Sequence, residues 1–254
     1  MNQFDLSGHV SVVTGGNRGI GLGLARGLAK ANASVCIWAR DLDAAERAVA
    51  ELRSLGSGEV EAIGCDVGSE TSVVEALDAT VDRFGHVDSL FANAGTSSRV
   101  SFPEMELDEL ESVFQVNVGG VFLAAREVAR HLTSRNAPGS IVITSSIAAH
   151  HGLPTAPHYS ASKGAVTAMA RALAVRLARH RIRVNVLAPG WIATDMNDEL
   201  QGHERFEAYI QSRVPMRRWG GAEDFEGAAV YLASEASSFM TGSELTIDGG
   251  YSAF

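Results

Sequence analysis

Val10-Ser11-Val12-Val13-Thr14-Gly15-Gly16-Asn17-Arg18-Gly19-Ile20-Gly21 passes from an apolar, β-branched segment into a cluster of glycines. Residues 10–14 have the composition of a strand, and helical periodicity takes over over about 19–31. Glycines between a strand and a helix permit a tight turn and let a pyrophosphate approach the helix N-terminus. The spacing here is G-x-x-x-G-x-G rather than the commoner G-x-G-x-x-G. A glycine-rich turn alone says little. This one sits in the strand–turn–helix setting that dinucleotide binding requires. Gly15, Asn17, Arg18, Gly19, Ile20 and Gly21 are therefore candidate cofactor contacts.

Outward from this turn, short β-rich runs alternate with helical ones. Further strands are expected at 34–39, 60–64, 87–92, 140–144, 183–187 and 244–247. A helix is expected to open at Asp43, with Glu46 completing a capping box. Others are expected over 71–84, 107–131, 156–180 and 222–234, with Pro103 in a first helical turn. Alternation of this kind predicts an α/β fold with one doubly wound parallel sheet of about seven strands and helices on both faces. The strands are mostly continuous apolar runs, as sheets covered on both sides require. There is no internal repeat or linker, so residues 1–254 are expected to form a single domain. The irregular stretch 190–220 holds Trp191, Met196, Phe206, Tyr209 and Trp219 among many charges. It follows the sixth strand's carboxyl end and is a candidate substrate lid; a plain surface excursion is the alternative.

The residue near the end of the second strand selects the cofactor. An acid there receives the ribose 2′-hydroxyl of NAD, and an arginine accommodates the 2′-phosphate of NADP. This strand ends Trp38-Ala39-Arg40-Asp41, with Ala39 where the acid would stand and Arg40 next. Arg18 adds a second cation, and two arginines suit a phosphate's charge and geometry. NADP(H) is the preferred cofactor on this reading. NAD(H) remains the alternative, with Arg40 merely solvated and Asp41 binding the ribose or capping the helix.

Tyr159-Ser160-Ala161-Ser162-Lys163 sets a phenol and an ammonium one turn apart on a single helix face. A free tyrosine has a pKa of about 10 and is a poor base at neutral pH. A nearby ammonium favours the phenolate and lowers that value, which suits proton transfer. On spacing alone, the pair also fits a solvated helix face.

Taken together, these stretches resemble the short-chain dehydrogenase/reductase family over nearly the whole chain. Thr14-Gly15-x-x-x-Gly19-x-Gly21 looks like its cofactor turn, and Asp66-Val67 matches the segment whose acid contacts adenine. Asn93-Ala94-Gly95 matches the motif that supports the sheet and lines the adenine ribose. Pro189-Gly190, Ile192 and Thr194 match the segment that clasps the nicotinamide, and Asp248-Gly249-Gly250 the usual C-terminal turn. Asn117, Ser146, Tyr159 and Lys163 match the catalytic tetrad, Ser146 rather than Ser145 because it stands thirteen residues before Tyr159. The resemblance implies a Rossmann domain that interconverts a ketone and a secondary alcohol without a metal. Tyr159 would exchange the proton, Ser146 would hold the substrate oxygen, and Lys163 would lower the phenol's pKa and hold the nicotinamide ribose. Asn117 would fix a water linking Lys163 to solvent. It also implies a homotetramer, for which Phe239, Tyr251 and Phe254 are available to cover apolar surface.

The substrate is less legible. His151, His158 and Trp191, with Ser146, are the candidate substrate contacts. A 3-oxoacyl thioester is one reading; a polyol, sugar acid or small ketone is the other. An acidic carrier protein would need a basic face, which Arg126, Arg130, Arg171 and Arg176 offer, but Asp195, Asp198, Glu199, Glu204 and Glu207 in the lid oppose it. A catalytically silent nucleotide sensor is the reading of another class, and retention of both Tyr159 and Lys163 speaks against it.

Composition narrows the field further. The formal net charge of −9 argues against nucleic-acid binding. The five arginines between 171 and 183 are spread around an expected helix, as on a solvated or subunit-contact face. No apolar run approaches the roughly 18 residues that span a membrane. The first residues lack a basic start and an apolar core, so no secretory signal and a cytoplasmic location are expected. Cys36 and Cys65 sit in strand-like settings as buried thiols, without the spacing of a disulfide framework or metal site.

Overall fold

The computed structural model describes residues 3–253. Seven strands form one parallel sheet: β1 (Val10–Thr14), β2 (Ser34–Ala39), β3 (Val60–Gly64), β4 (Ser89–Ala92), β5 (Gly139–Thr144), β6 (Ile182–Pro189) and β7 (Glu244–Ile247). Their order is β3-β2-β1-β4-β5-β6-β7. Eight α-helices surround it: α1 (Gly19–Lys30), α2 (Leu42–Leu52), α3 (Glu70–Phe84), α4 (Leu107–Phe114), α5 (Val121–Ser134), α6 (Pro157–Leu177), α7 (Glu204–Arg213) and α8 (Glu226–Ala233).

Period-two alternation divides the core between the two faces. Val12, Trp38, Leu90 and Ile141 join one cluster with Leu77 of α3, Val128 of α5 and Val166 of α6. Their strand neighbours Val13, Ile37, Phe91 and Val142 join the other, with Leu24 of α1, Val49 of α2 and Leu232 of α8. The continuous apolar runs of the sequence are thus explained by helices on both sides. On α1, a Cβ at Gly23 or Gly27 would lie 1.9 Å from Ala222 O or 2.2 Å from Glu226 O. The helix backbone is therefore seated directly against the start of α8.

Two local expectations need correction. The helix after β2 is capped by Asp41, whose side chain accepts from Ala44 N at 3.0 Å, and not by a box between Asp43 and Glu46. Asp43 falls inside the first turn, where its charge complements the helix dipole. The helix expected to run unbroken over 107–131 is interrupted by a π-helical segment at Gln115–Gly120. Its end packs on the loop after β3, where a Cβ at Gly120 would lie 2.8 Å from Val67 Cγ2. The interruption turns the fully buried Asn117 inward.

Cys36 and Cys65 are free and buried, and burial pushes their thiols up to about 12 and about 11. At neutral pH both are unreactive. Of the basic stretch, Arg181 donates to Asn136 O and Arg183 to Leu232 O and Ser234 O, while Arg171, Arg176 and Arg179 are exposed. Phe239 is wholly exposed and Tyr251 is turned against the chain, while Phe254 lies outside the described residues. No helix among the described residues is long and apolar enough to cross a membrane.

Candidate active site

β1 pairs with β2 on one side and β4 on the other, so consecutive connections leave in opposite directions above its carboxyl end. Ligands of doubly wound sheets bind at such a switch point. A cleft of about 850 Å³ opens there. All the residues expected around the cofactor line it, from the glycine turn through Arg40, Asp66-Val67, Asn93-Ala94-Gly95, Tyr159 and Lys163 to Pro189-Gly190, Ile192 and Thr194.

The floor is built from hydrogen bonds between strand ends. Thr14 Oγ1 accepts from the backbone N–H groups of Asn93 and Ala94, both at 2.9 Å. The Asn93 amide donates back to Thr14 O at 3.1 Å. These bonds lock the loop after β4 to the glycine turn, and Asn93 acts there through its protein contacts. Gly15 holds φ +64, and a Cβ at Gly21 would lie 2.1 Å from Gly15 O, so the turn admits no side chain at that position.

Asn117 continues the network. Its Oδ1 accepts from Thr96 N at 2.8 Å, and its Nδ2 donates to Thr96 O at 2.9 Å and Ser162 Oγ at 3.0 Å. The side chain thus ties the π-helical turn to the loop after β4 and to α6. A Cβ at Gly95 would lie 3.2 Å from Asn117 Oδ1 and 3.6 Å from Lys163 Nζ, so these three residues meet at one point.

The two adjacent serines after β5 differ in their surroundings. Ser145 is buried and its hydroxyl bonds to Lys163 O and Thr167 Oγ1, joining β5 to α6. Ser146 lines the cleft, and its Oγ accepts from Ala148 N at 3.1 Å at the head of a short 3-10 turn. Its hydroxyl faces Tyr159. Lys163 Nζ donates to Thr144 O at 2.8 Å and lies 5.5 Å from the centre of the Tyr159 ring. With the lysine only 3% exposed, burial pushes its ammonium down to about 8. Burial also holds the Tyr159 phenol above its ordinary value, with the Ser146 hydroxyl opposing. The sequence expectation ran the other way, since it counted the lysine's charge and left out desolvation.

A family profile described as enoyl-(acyl carrier protein) reductase matches residues 15–252. A gluconate 5-dehydrogenase of Gluconobacter oxydans is 36% identical over 247 residues, spanning 97% of this chain and 96% of its own. A 5-keto-D-gluconate 5-reductase of Escherichia coli is 38% identical over 249 residues, again 97% and 96% of the two chains. A gluconate 5-dehydrogenase from Burkholderia cenocepacia, crystallised with NADP and tartrate, superposes with TM-score 0.94 at 36% identity, covering 100% of this chain and 98% of that one. The chain belongs to the short-chain dehydrogenase/reductase family. It is an oxidoreductase acting on CH–OH groups.

In this short-chain dehydrogenase/reductase the candidate substrate wall differs from the sequence expectation. Ser146 lines the cleft, whereas His151, His158 and Trp191 do not. His158 is buried behind the loop after β4, with Nε2 2.9 Å from Ser98 Oγ. His151 is exposed and meets the edge of Tyr251. Trp191 anchors an aromatic cluster within the lid, its ring 5.0 Å from Phe206 and 6.2 Å from Trp219.

The candidate lid over 190–220 is more regular than its composition suggests. It holds a 3-10 turn at Asp195–Asn197 and α7, and its ends are joined by a bridge between Ile192 and Gly220. Arg18 reaches Asp195 at 2.9 Å, and Arg99 reaches Glu199 at 2.9 Å. The lid is thus tied to both banks of the cleft. Arg99 had no place in the sequence reading, Asp195 entered it only through the acidic charge of the candidate lid, and Thr14 only as the first residue of the cofactor turn. Thr14 carried a signal, a hydroxyl at a strand end beside a glycine turn; the two ion pairs join residues far apart in the chain and carried none.

Proposed function

We propose that the chain transfers a hydride between NADP(H) and the carbonyl or alcohol carbon of a polyol or sugar acid, with Tyr159 exchanging the proton. One observation carries the reading: Ser146, Tyr159 and Lys163 line the same cleft as a glycine turn with Arg18 and Arg40 at its rim. The dinucleotide fits on structural grounds, because Gly15, Gly19 and Gly21 line the cleft at the start of α1, and a Cβ at Gly21 would strike Gly15 O, so the tight turn beside a pyrophosphate site is one that only glycine makes. Asp41 accepts from Ala44 N as the cap of α2, and Arg40 is exposed beside it at the end of β2. Arg18 and Arg40 would hold the 2′-phosphate, and Lys163 the nicotinamide ribose.

When bound, the nicotinamide supplies or accepts the hydride. Ser146 holds the substrate oxygen against Tyr159. The phenol, kept protonated by its surroundings, donates to the developing alkoxide during reduction. During oxidation the same oxygen takes the alcohol proton, a step that needs the phenolate and therefore the Lys163 charge beside it. Asn117 holds the backbone that places Gly95 and Lys163.

A sugar-acid or polyol substrate is supported over an acyl thioester by two findings. Gluconate and 5-ketogluconate enzymes stand among the relatives. Of the arginines available to receive an acidic carrier protein, Arg126 is paired with Glu70 and Glu127, and Arg130 with Glu127. The test monitors NADPH absorbance with 5-keto-D-gluconate and with a 3-oxoacyl thioester. Turnover of the keto acid with NADPH is expected. Turnover of the thioester alone, or a higher kcat/KM with NADH, would overturn the corresponding part of the reading.

A further inference from the structure

Arg18 Nη1 and Asp195 Oδ2 meet at 2.9 Å at the rim of the cleft. Arg18 is proposed to hold the 2′-phosphate, and any role for its partner rests on that reading. Asp195 opens the 3-10 turn at the base of the lid, and its position is fixed by its neighbours. A Cβ at Gly19 would lie 3.1 Å from Thr194 Cγ2, so the lid base rests on the glycine turn itself. Asn197 donates to Ile192 O at 3.0 Å, and Gln201 to Thr194 O at 3.0 Å, bracing the turn from inside the lid.

Beside the pair, a pocket of about 330 Å³ is bounded by Asn17, Arg18, Asp41, Arg47, Glu51 and Asp195. Three carboxylates face it. Asp41 accepts from Ala44 N as the cap of α2. Glu51 is held by two bonds from Arg26. The remaining carboxylate, Asp195, is the one that engages a cofactor-facing arginine. Arg47 is exposed at this pocket, and Arg40 is exposed on the main cleft.

We propose that Asp195 is a cofactor-selectivity residue. Its carboxylate occupies part of the Arg18 fork that a 2′-phosphate requires. NADP(H) must displace or share that contact, whereas NAD(H), with only a 2′-hydroxyl, leaves it intact. A phosphate carries more charge than a carboxylate and matches the arginine fork as well, so it wins the exchange. The competition still lowers the enzyme's preference for the phosphorylated cofactor. An exposed ion pair of this kind accounts for at most about a fivefold change in an equilibrium constant. The acid on the lid thus tempers a selectivity that Arg18 and Arg40 create.

Direct binding decides the matter, with no substrate present: fluorescence titration of NADPH and of NADH on the wild type, Asp195→Asn and Arg18→Gln. Asp195→Asn is expected to bind NADPH about two- to fivefold tighter while its NADH affinity stays unchanged. No gain for NADPH, or an equal change for both cofactors, overturns the proposal. Arg18→Gln separates this from the reading beneath it. A loss confined to NADPH places Arg18 at the phosphate, and a negative result with Asp195→Asn then counts against Asp195 alone. An equal loss of both cofactors removes the phosphate reading and the proposal with it.

Discussion

The floor of the cleft and its lid are held by opposite kinds of interaction. On the floor, Thr14, Asn117, Ser145 and Lys163 are buried, and each makes hydrogen bonds that join separate strands or helices. A buried polar group left without its partner is costly, so such a network tolerates one arrangement. The lid is tied to the cleft by Arg18–Asp195 and Arg99–Glu199, pairs with exposed members that are individually weak. Its own aromatic cluster keeps it compact. The difference separates two kinds of tie: the floor is held by buried bonds that tolerate one arrangement, and the segment 190–220 meets the cleft through exposed pairs that are weak one by one.

The sharpest break of this contrast lies at Tyr159. Tyr159→Phe removes the exchangeable proton and little else, so kcat is expected to fall about 10³-fold, about 4 kcal/mol of barrier, with melting temperature unchanged. Retained turnover would remove Tyr159 from the chemistry.

Lys163 tests the floor through pH. Its folded value of about 8 lies below the unfolded value of about 10.4. Between these the unfolded chain binds more protons, so the buried charge is a penalty below about pH 8 that fades as pH rises to about 10.4. Denaturant titrations of the cofactor-free protein should show wild-type stability rising by up to about 3 kcal/mol across that window relative to Lys163→Met. Parallel curves for the two proteins would show that the ammonium is not desolvated.

Asn117→Ala strips partners from both Thr96 backbone groups, and a loss of about 2 kcal/mol in unfolding free energy is expected. A change within about 0.5 kcal/mol would mean that the floor can re-form without it. Arg99→Ala is the smallest perturbation. Global stability should shift by less than about 1 kcal/mol, while amide exchange over residues 195–201 accelerates. Unchanged exchange there would show that the pair does not hold the lid.

Much of the floor was legible because its signals are local. The glycine turn and Asn93-Ala94-Gly95 each follow one strand, Tyr159 and Lys163 share one helix, and Ser146 stands only thirteen residues before Tyr159. The alternating strands and helices gave the sheet for the same reason. The lid's contacts were not legible, because Arg18 and Asp195 are 177 residues apart and only the folded chain brings them together. The interruption at Gln115–Gly120 was missed because its hydrophobic period differs little from that of a continuous helix. The direction of the Tyr159 shift was missed because spacing reveals a neighbouring charge but not the desolvation of both groups.

The glycine face of α1 bears on how the protein is made. At Gly23 and Gly27 the space that a Cβ would take is filled by the backbone at Ala222 and Glu226, some two hundred residues later in the chain. On the ribosome, the helix that presents the cofactor turn is synthesised early, yet its backing arrives only near the end. Until then that face is bare, and a chain stopped before Ala222 would have its nucleotide turn but not the packing that holds it in place. Cofactor affinity is therefore expected to be acquired late in synthesis, and release of a chain able to bind would coincide with near-completion of the whole domain.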